Sequence, residues 1–265
     1  MANRANASAR EVDPGGNLPE QVFRGVSWQL SPLGAYILTL SDAGTNLLFP
    51  DRVIASGKRR GGNFPAVPQF GDDKRRTSTP QPSHGYGRVE LWSPTRVDPH
   101  KVVFSHEQTE EGEYQGLCSL VSYELVLGKI STKLEASLIL QNESDTVKRI
   151  APAMHPYIDL SGLSPEKLEE TQSGLTIAQT VPAKKAVIDV APGRELMIEV
   201  DGFERITWWV EPETGEFVCM EPSLAGTSFS KKSHKPKDSE LLGPGESRQY
   251  TMSLMWRPTK QRALC

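Results

Sequence analysis

Glu221 stands in the run Cys219-Met220-Glu221-Pro222, at the end of an apolar stretch that begins at Phe217. A carboxylate in that position is either a paired structural charge or a group whose proton affinity is put to use. Two histidines have equally unusual surroundings. His84 opens the run His84-Gly85-Tyr86-Gly87-Arg88, and His155 lies in Met154-His155-Pro156-Tyr157. The glycines of the first run let a ligand approach the backbone closely, which leaves His84, Tyr86 and Arg88 to present side chains. In the second run Pro156 removes a ladder donor and favours an extended His155. Tyr157 beside it suits a pocket that stacks on a flat substrate face. One carboxylate acting as base and one imidazole acting as acid suffice for acid–base isomerisation, each typically contributing ~10²–10⁴-fold. The plain alternative for either motif alone is a packed histidine at a strand end, and spacing does not show that Glu221 and His155 meet.

Other chemistries find less support. His100 and His234 lie in polar runs and read as solvated side chains; His106 reads as a strand-edge residue. No close-spaced ligand pair such as His-x-x-x-His is present, so no metal and no other cofactor is expected. Cys219 and Glu221 fall on one strand face, but nothing selects metal over proton transfer. A Gly-x-Ser-x-Gly elbow for a serine nucleophile is missing as well.

The elements that must position these residues are strands. In the run from Lys133 to Leu140, Leu134, Ala136, Leu138 and Leu140 alternate with polar residues, a period of two. Leu196, Ile198 and Val200 repeat the pattern, as do Tyr250, Met252, Leu254 and Trp256. Turn signals rich in Gly and Pro separate such runs. Only the stretch from Ser164 has a helix start, with Pro165 at its first position. The fold class expected is all-β, a large antiparallel sandwich. Polar segments 72–83 and 228–240 read as long loops that are functional or mobile.

Composition sets the outer limits. The 265 residues, 37% hydrophobic and 24% charged, suit one soluble domain with a sizeable core. A net charge of −3 gives no reason to expect nucleic acid as a partner, and no apolar run approaches the ~20 residues that cross a membrane. Three cysteines without paired spacing suit a reducing compartment. Residues 1–20 contain no secretory h-region and are expected to be a disordered, dispensable tail ahead of a domain over 21–260. A cytoplasmic monomer is expected. Arg4 and Arg10 keep an organelle transit peptide as the alternative, and Glu11 and Asp13 weigh against it.

The blocks Arg60–Gly71, His84–Arg88, Met154–Leu160 and Phe217–Pro222 occur in the order found in the aldose 1-epimerase superfamily, and the chain most resembles its glucose-6-phosphate 1-epimerase branch. The resemblance spans roughly residues 25 to 257. It implies a galactose mutarotase-like β-sandwich (a supersandwich) with a hexose phosphate or aldose bound in a cleft on one sheet. Glu221 would take the proton from the anomeric hydroxyl, and His155 would donate to the ring oxygen. His84 would bind near that oxygen, Arg60 and Arg88 would hold the phosphate, and Gln69 and Asp159 would join the substrate-binding set. Departures are Asn63 in place of an apolar residue, a basic stretch at Lys74, Arg75 and Arg76, and the charge of Asp159. Three readings follow: anomerisation of a hexose 6-phosphate, mutarotation of a free aldose, and a carbohydrate-binding module without catalysis.

Overall fold

The computed structural model describes residues 16–72, 81–164, 166–169, 179–182, 184–210, 216–226 and 235–259. The first strands are β1 (Gln21–Phe23), β2 (Val26–Ser31), β3 (Tyr36–Asp42), β4 (Thr45–Asn46), β5 (Arg52–Val53), β6 (Arg59–Arg60) and β7 (Pro65–Ala66). A 3-10 turn at Tyr86–Arg88 leads into β8 (Ser93–Asp98), β9 (Lys101–Glu107), β10 (Leu117–Leu127) and β11 (Thr132–Asn142). Short strands follow as β12 (Lys148–Arg149), β13 (Ala153–Met154), β14 (Tyr157–Asp159) and β15 (Gln179–Val181). The last are β16 (Lys185–Ala191), β17 (Arg194–Asp201), β18 (Arg205–Val210), β19 (Phe217–Ser223), β20 (Leu241–Leu242) and β21 (Ser247–Pro258).

Two antiparallel sheets carry the architecture. A seven-stranded sheet runs β16-β17-β21-β11-β10-β9-β8, and a six-stranded one runs β15-β18-β19-β13-β7 with β14 also on β19. The alternation read from sequence gives the large sheet its inner face: Leu134, Ala136, Leu138 and Leu140 are buried, as are Leu196, Ile198, Tyr250, Met252, Leu254 and Trp256. These residues pack in one core with Ile158, Ile206, Trp208, Val218 and Met220 of the smaller sheet and with Trp28, Leu30 and Ile37 of β2 and β3. The Tyr123 hydroxyl donates to the Ala35 carbonyl at 2.9 Å inside this core. The helix start at Ser164 is real: residues 166–169 are helical, and the Lys167 amide donates to the Ser164 hydroxyl. The first fifteen residues and most of the two long loops lie outside the described residues.

The N-terminal boundary differs from the expectation. Leu18 is buried at 1% exposure in the main core, and its amide donates to Leu30 at 2.8 Å. A lone leucine in a polar, Gly- and Pro-bearing stretch carries no periodicity, so nothing in the sequence marked it as core.

Candidate active site

The smaller sheet has a second face, turned away from the main core, and β19 supplies it. All seven residues of β19 are buried. Val218 and Met220 enter the main core, whereas Phe217 and Cys219 join Phe64 and Tyr157 in a separate cluster. Glu221 shares the face of Phe217 and Cys219 by the period of two. The strand continues past the apolar stretch, through Glu221 and Pro222 to Ser223. Met220 donates to Pro156 and Leu224 to Pro152, so position 222 faces Met154, the last residue of β13 before its break from β14. A residue without an N–H fits there without leaving an orphan donor.

That break also holds His155. Tyr157 pairs with Cys219 and Ala153 with Ser223, and the same register sets His155 opposite Glu221. Nε2 of His155 lies 2.7 Å from Oε1 of Glu221, with side-chain exposures of 5% and 4%. The two residues singled out from separate stretches thus meet. The imidazole is sandwiched between Phe64, with centroids 4.7 Å apart, and Tyr157, at 4.8 Å. Nδ1 of His155 has no hydrogen-bond partner among the described residues, so the aromatic faces take over the orienting work usually done by a second hydrogen bond.

Phe64 reaches this place through backbone pairing: His155 donates to the Phe64 carbonyl at 3.0 Å and Tyr157 to that of Gly62 at 2.9 Å. Gly62 is needed for that approach, since a Cβ there would sit 2.0 Å from the Ile37 carbonyl oxygen. Tyr36 stacks on Phe64 with centroids 5.0 Å apart and donates to Gly61. Burial, the largest cause, pushes its phenol well above the ordinary value.

His84 meets His155 edge to face, with ring centroids 4.8 Å apart. It adopts a left-handed φ of 66°, and the Gly71 amide donates to its Nδ1 at 3.3 Å. Burial first, then His155, Arg88 and Arg60, hold its pKa down to about 2. The ring is therefore neutral at working pH, and with Nδ1 accepting, Nε2 carries the proton as a donor. The Arg88 guanidinium lies 4.9 Å over the Phe64 ring and that of Arg60 lies 5.2 Å over Trp209. Arg60 also donates to the Arg59 carbonyl at 3.2 Å, Arg52 pairs with Glu216 at 2.6 Å, and Arg59 pairs with Asp51. Gln69 is fully buried and bridged in parallel to Ala151, and Asp159 follows Tyr157 on the same face of β14. The Asp159 carboxylate accepts from the Ser161 amide at 2.8 Å, closing a turn.

Sequence reading missed Phe64, Tyr36 and Trp209. Phe64 lies inside a quoted block, and Trp209 would have followed from the alternation of Arg205 to Val210 once β18 was paired with β19. Tyr36 offered no signal.

No protein-family profile and no curated protein sequence matches the chain. Solved structures do. A protein from Escherichia coli K12, provisionally assigned as an aldose 1-epimerase, aligns with TM-score 0.70 and 18% identity over 92% of this chain and 100% of its own. A galactose mutarotase-like protein from Lactobacillus casei aligns with TM-score 0.69 and 13% identity, covering 91% and 100%. Galactose 1-epimerase from Lactobacillus acidophilus gives TM-score 0.61 and 11% identity, covering 89% and 92%. The fold is galactose mutarotase-like. In this mutarotase-like sandwich the buried His–Glu pair lies on the smaller sheet, walled by aromatic rings, with the guanidinium groups of Arg60 and Arg88 near such rings.

Proposed function

We propose that the protein interconverts the α and β anomers of a hexose 6-phosphate, glucose 6-phosphate being the first choice. The observation that carries this reading is the buried contact between Nε2 of His155 and Oε1 of Glu221. A base and an acid that already share a proton in a small aromatic-walled site need only admit a hemiacetal between them. Glu221 removes the proton from the anomeric hydroxyl, His155 delivers one to the ring oxygen, and the C1–O5 bond breaks to give the open aldehyde. Rotation about C1–C2 exposes the other face, and the same two transfers run in reverse close the ring as the opposite anomer. No atom is gained or lost, and both side chains return to their starting protonation. The neutral, Nε2-protonated His84 is a hydrogen-bond donor suited to the ring oxygen region.

Support for the phosphate comes from Arg60 and Arg88. Both sit against aromatic rings of the site and both act on His84. A guanidinium held over an aromatic ring is suited to planar recognition of an oxyanion. The test is anomer exchange measured by NMR with glucose 6-phosphate and glucose side by side. Faster catalysed exchange of the phosphate ester is expected. Preference for free glucose would assign the site to a mutarotase of free aldoses, and absence of catalysis on either sugar would leave a binding module.

A further inference from the structure

The register that joins His155 to Glu221 brings a thiol to them as well. Cys219 precedes Glu221 by two residues on the same face of β19, is fully buried, and is reduced. A ring nitrogen of His155, Sγ of Cys219 and a carboxylate oxygen of Glu221 all lie within 4.8 Å of one another. We propose that His155, Cys219 and Glu221 form a binding site for a soft divalent cation of the zinc type, and that filling it shuts off the acid–base pair.

The donor set fits in kind, in size and in charge. Nitrogen, sulfur and oxygen donors from three side chains with an open fourth position are the usual environment of zinc. Its bond lengths imply tetrahedral edges of about 3.2–3.6 Å, so the three donors reach them by side-chain shifts of about an ångström. Thiolate and carboxylate together cancel the charge of the ion, and imidazole adds none. A neutral complex suits walls made by Phe64, Tyr157 and Phe217, where a net charge would be costly. The sulfur selects against magnesium and calcium, which take hard oxygen donors. Binding would displace the thiol proton and the proton held between Nε2 and Oε1. The lone pairs that exchange protons with the sugar would then be spent on the ion. Glu107, Cys118 and Glu143 also come together, but that cluster lacks an imidazole and its carboxylates are exposed, which makes it a natural control.

The binding half of the proposal is independent of the proposed reaction, whereas the inhibition half rests on it. Binding is read on the full-length protein by titrating cadmium chloride and following thiolate-to-cadmium charge-transfer absorption. A saturable band is expected in the parent protein, displaced by zinc chloride and indifferent to magnesium chloride. It should vanish in Cys219→Ser, persist in Cys118→Ser, and need roughly tenfold more cadmium or worse in His155→Gln. No band in the parent protein overturns the site, and so does a band that survives unchanged in both Cys219→Ser and His155→Gln. If the serine variant does not fold, His155→Gln decides. Zinc chloride should also block glucose 6-phosphate anomer exchange in the parent protein, with Cys219→Ser at least about tenfold more resistant. Cadmium binding without anomer exchange keeps the site and sinks the proposed reaction. Anomer exchange without a cadmium band does the opposite.

Discussion

Glu221 and His155 share one hydrogen bond, and their proposed roles separate by substitution. Glu221→Gln keeps the size and the hydrogen-bonding capacity while removing the base. It should lower kcat for anomer exchange by ~10²-fold or more with the protein still folded; a folded variant with unaltered exchange would remove Glu221 from the mechanism. Arg88→Met keeps an aliphatic stem against Phe64 and removes the charge. A phosphate contact remote from C1 is similar in ground and transition states, so its loss belongs in KM. Such a contact is worth ~1.5–3 kcal/mol, roughly tenfold to over a hundredfold in affinity. KM for glucose 6-phosphate should rise by that factor while any turnover of glucose changes little. Equal losses on both sugars would mark Arg88 as structural. His84 carries a pH signature. Its folded pKa of about 2 lies below the free value of 6.5, so the unfolded chain takes up a proton that the folded one refuses. Stability from this source is complete above pH ~6.5 and is lost as pH falls below it toward 2. His84→Asn tolerates the left-handed backbone and should narrow the difference in melting temperature between pH 7 and pH 5. An unchanged difference would show that His84 is not the group responsible.

At the level of the elements, the sequence spoke clearly wherever a strand had one wet face. Leu134, Ile198 and Met252 alternate with polar neighbours, and each lies buried in the large sheet. β19 was harder, because both of its faces are buried and its run of Phe217 to Met220 carries no period. Its continuation through Pro222 has no local signal, because a proline ordinarily argues against a central strand. The pairing of β13 and β14 with β19 is long-range, so the meeting of His155 with Glu221 could only be inferred through resemblance. Asn63 shows a different limit. It was visible as a departure, but not as an anomaly of energy. It bridges to Ile37 next to the main core, is fully buried, and neither Oδ1 nor Nδ2 has a hydrogen-bond partner among the described residues. Leaving such groups unmatched costs about 1–3 kcal/mol. Asn63→Leu, with the same count and branching of side-chain heavy atoms, should therefore raise the melting temperature by a few degrees. A lower value in a differential scan would mean that the amide is satisfied by ordered water or that leucine overfills the site.

For the molecule as a whole, Leu18 extends the core ahead of β1. Deleting residues 1–16 should leave the melting temperature unchanged, whereas deleting 1–20 removes a buried leucine and its hydrogen bond to Leu30. Losing a core leucine costs ~2–5 kcal/mol, and 1 kcal/mol corresponds to about 2–4 °C in a domain of this size. Identical melting curves for the two truncations would show that Leu18 adds nothing to the core. The same scale brings out what β19 means for the protein's history. One strand lends Val218 and Met220 to the interior and Cys219 and Glu221 to the site, with no solvated residue between them. Substitutions there cannot adjust the chemistry without disturbing the packing, so this strand has little freedom to drift. Changes of specificity would have to come from the arginine-bearing segments beside the site, at Arg60 and Arg88, where a side chain can be exchanged without reopening the core.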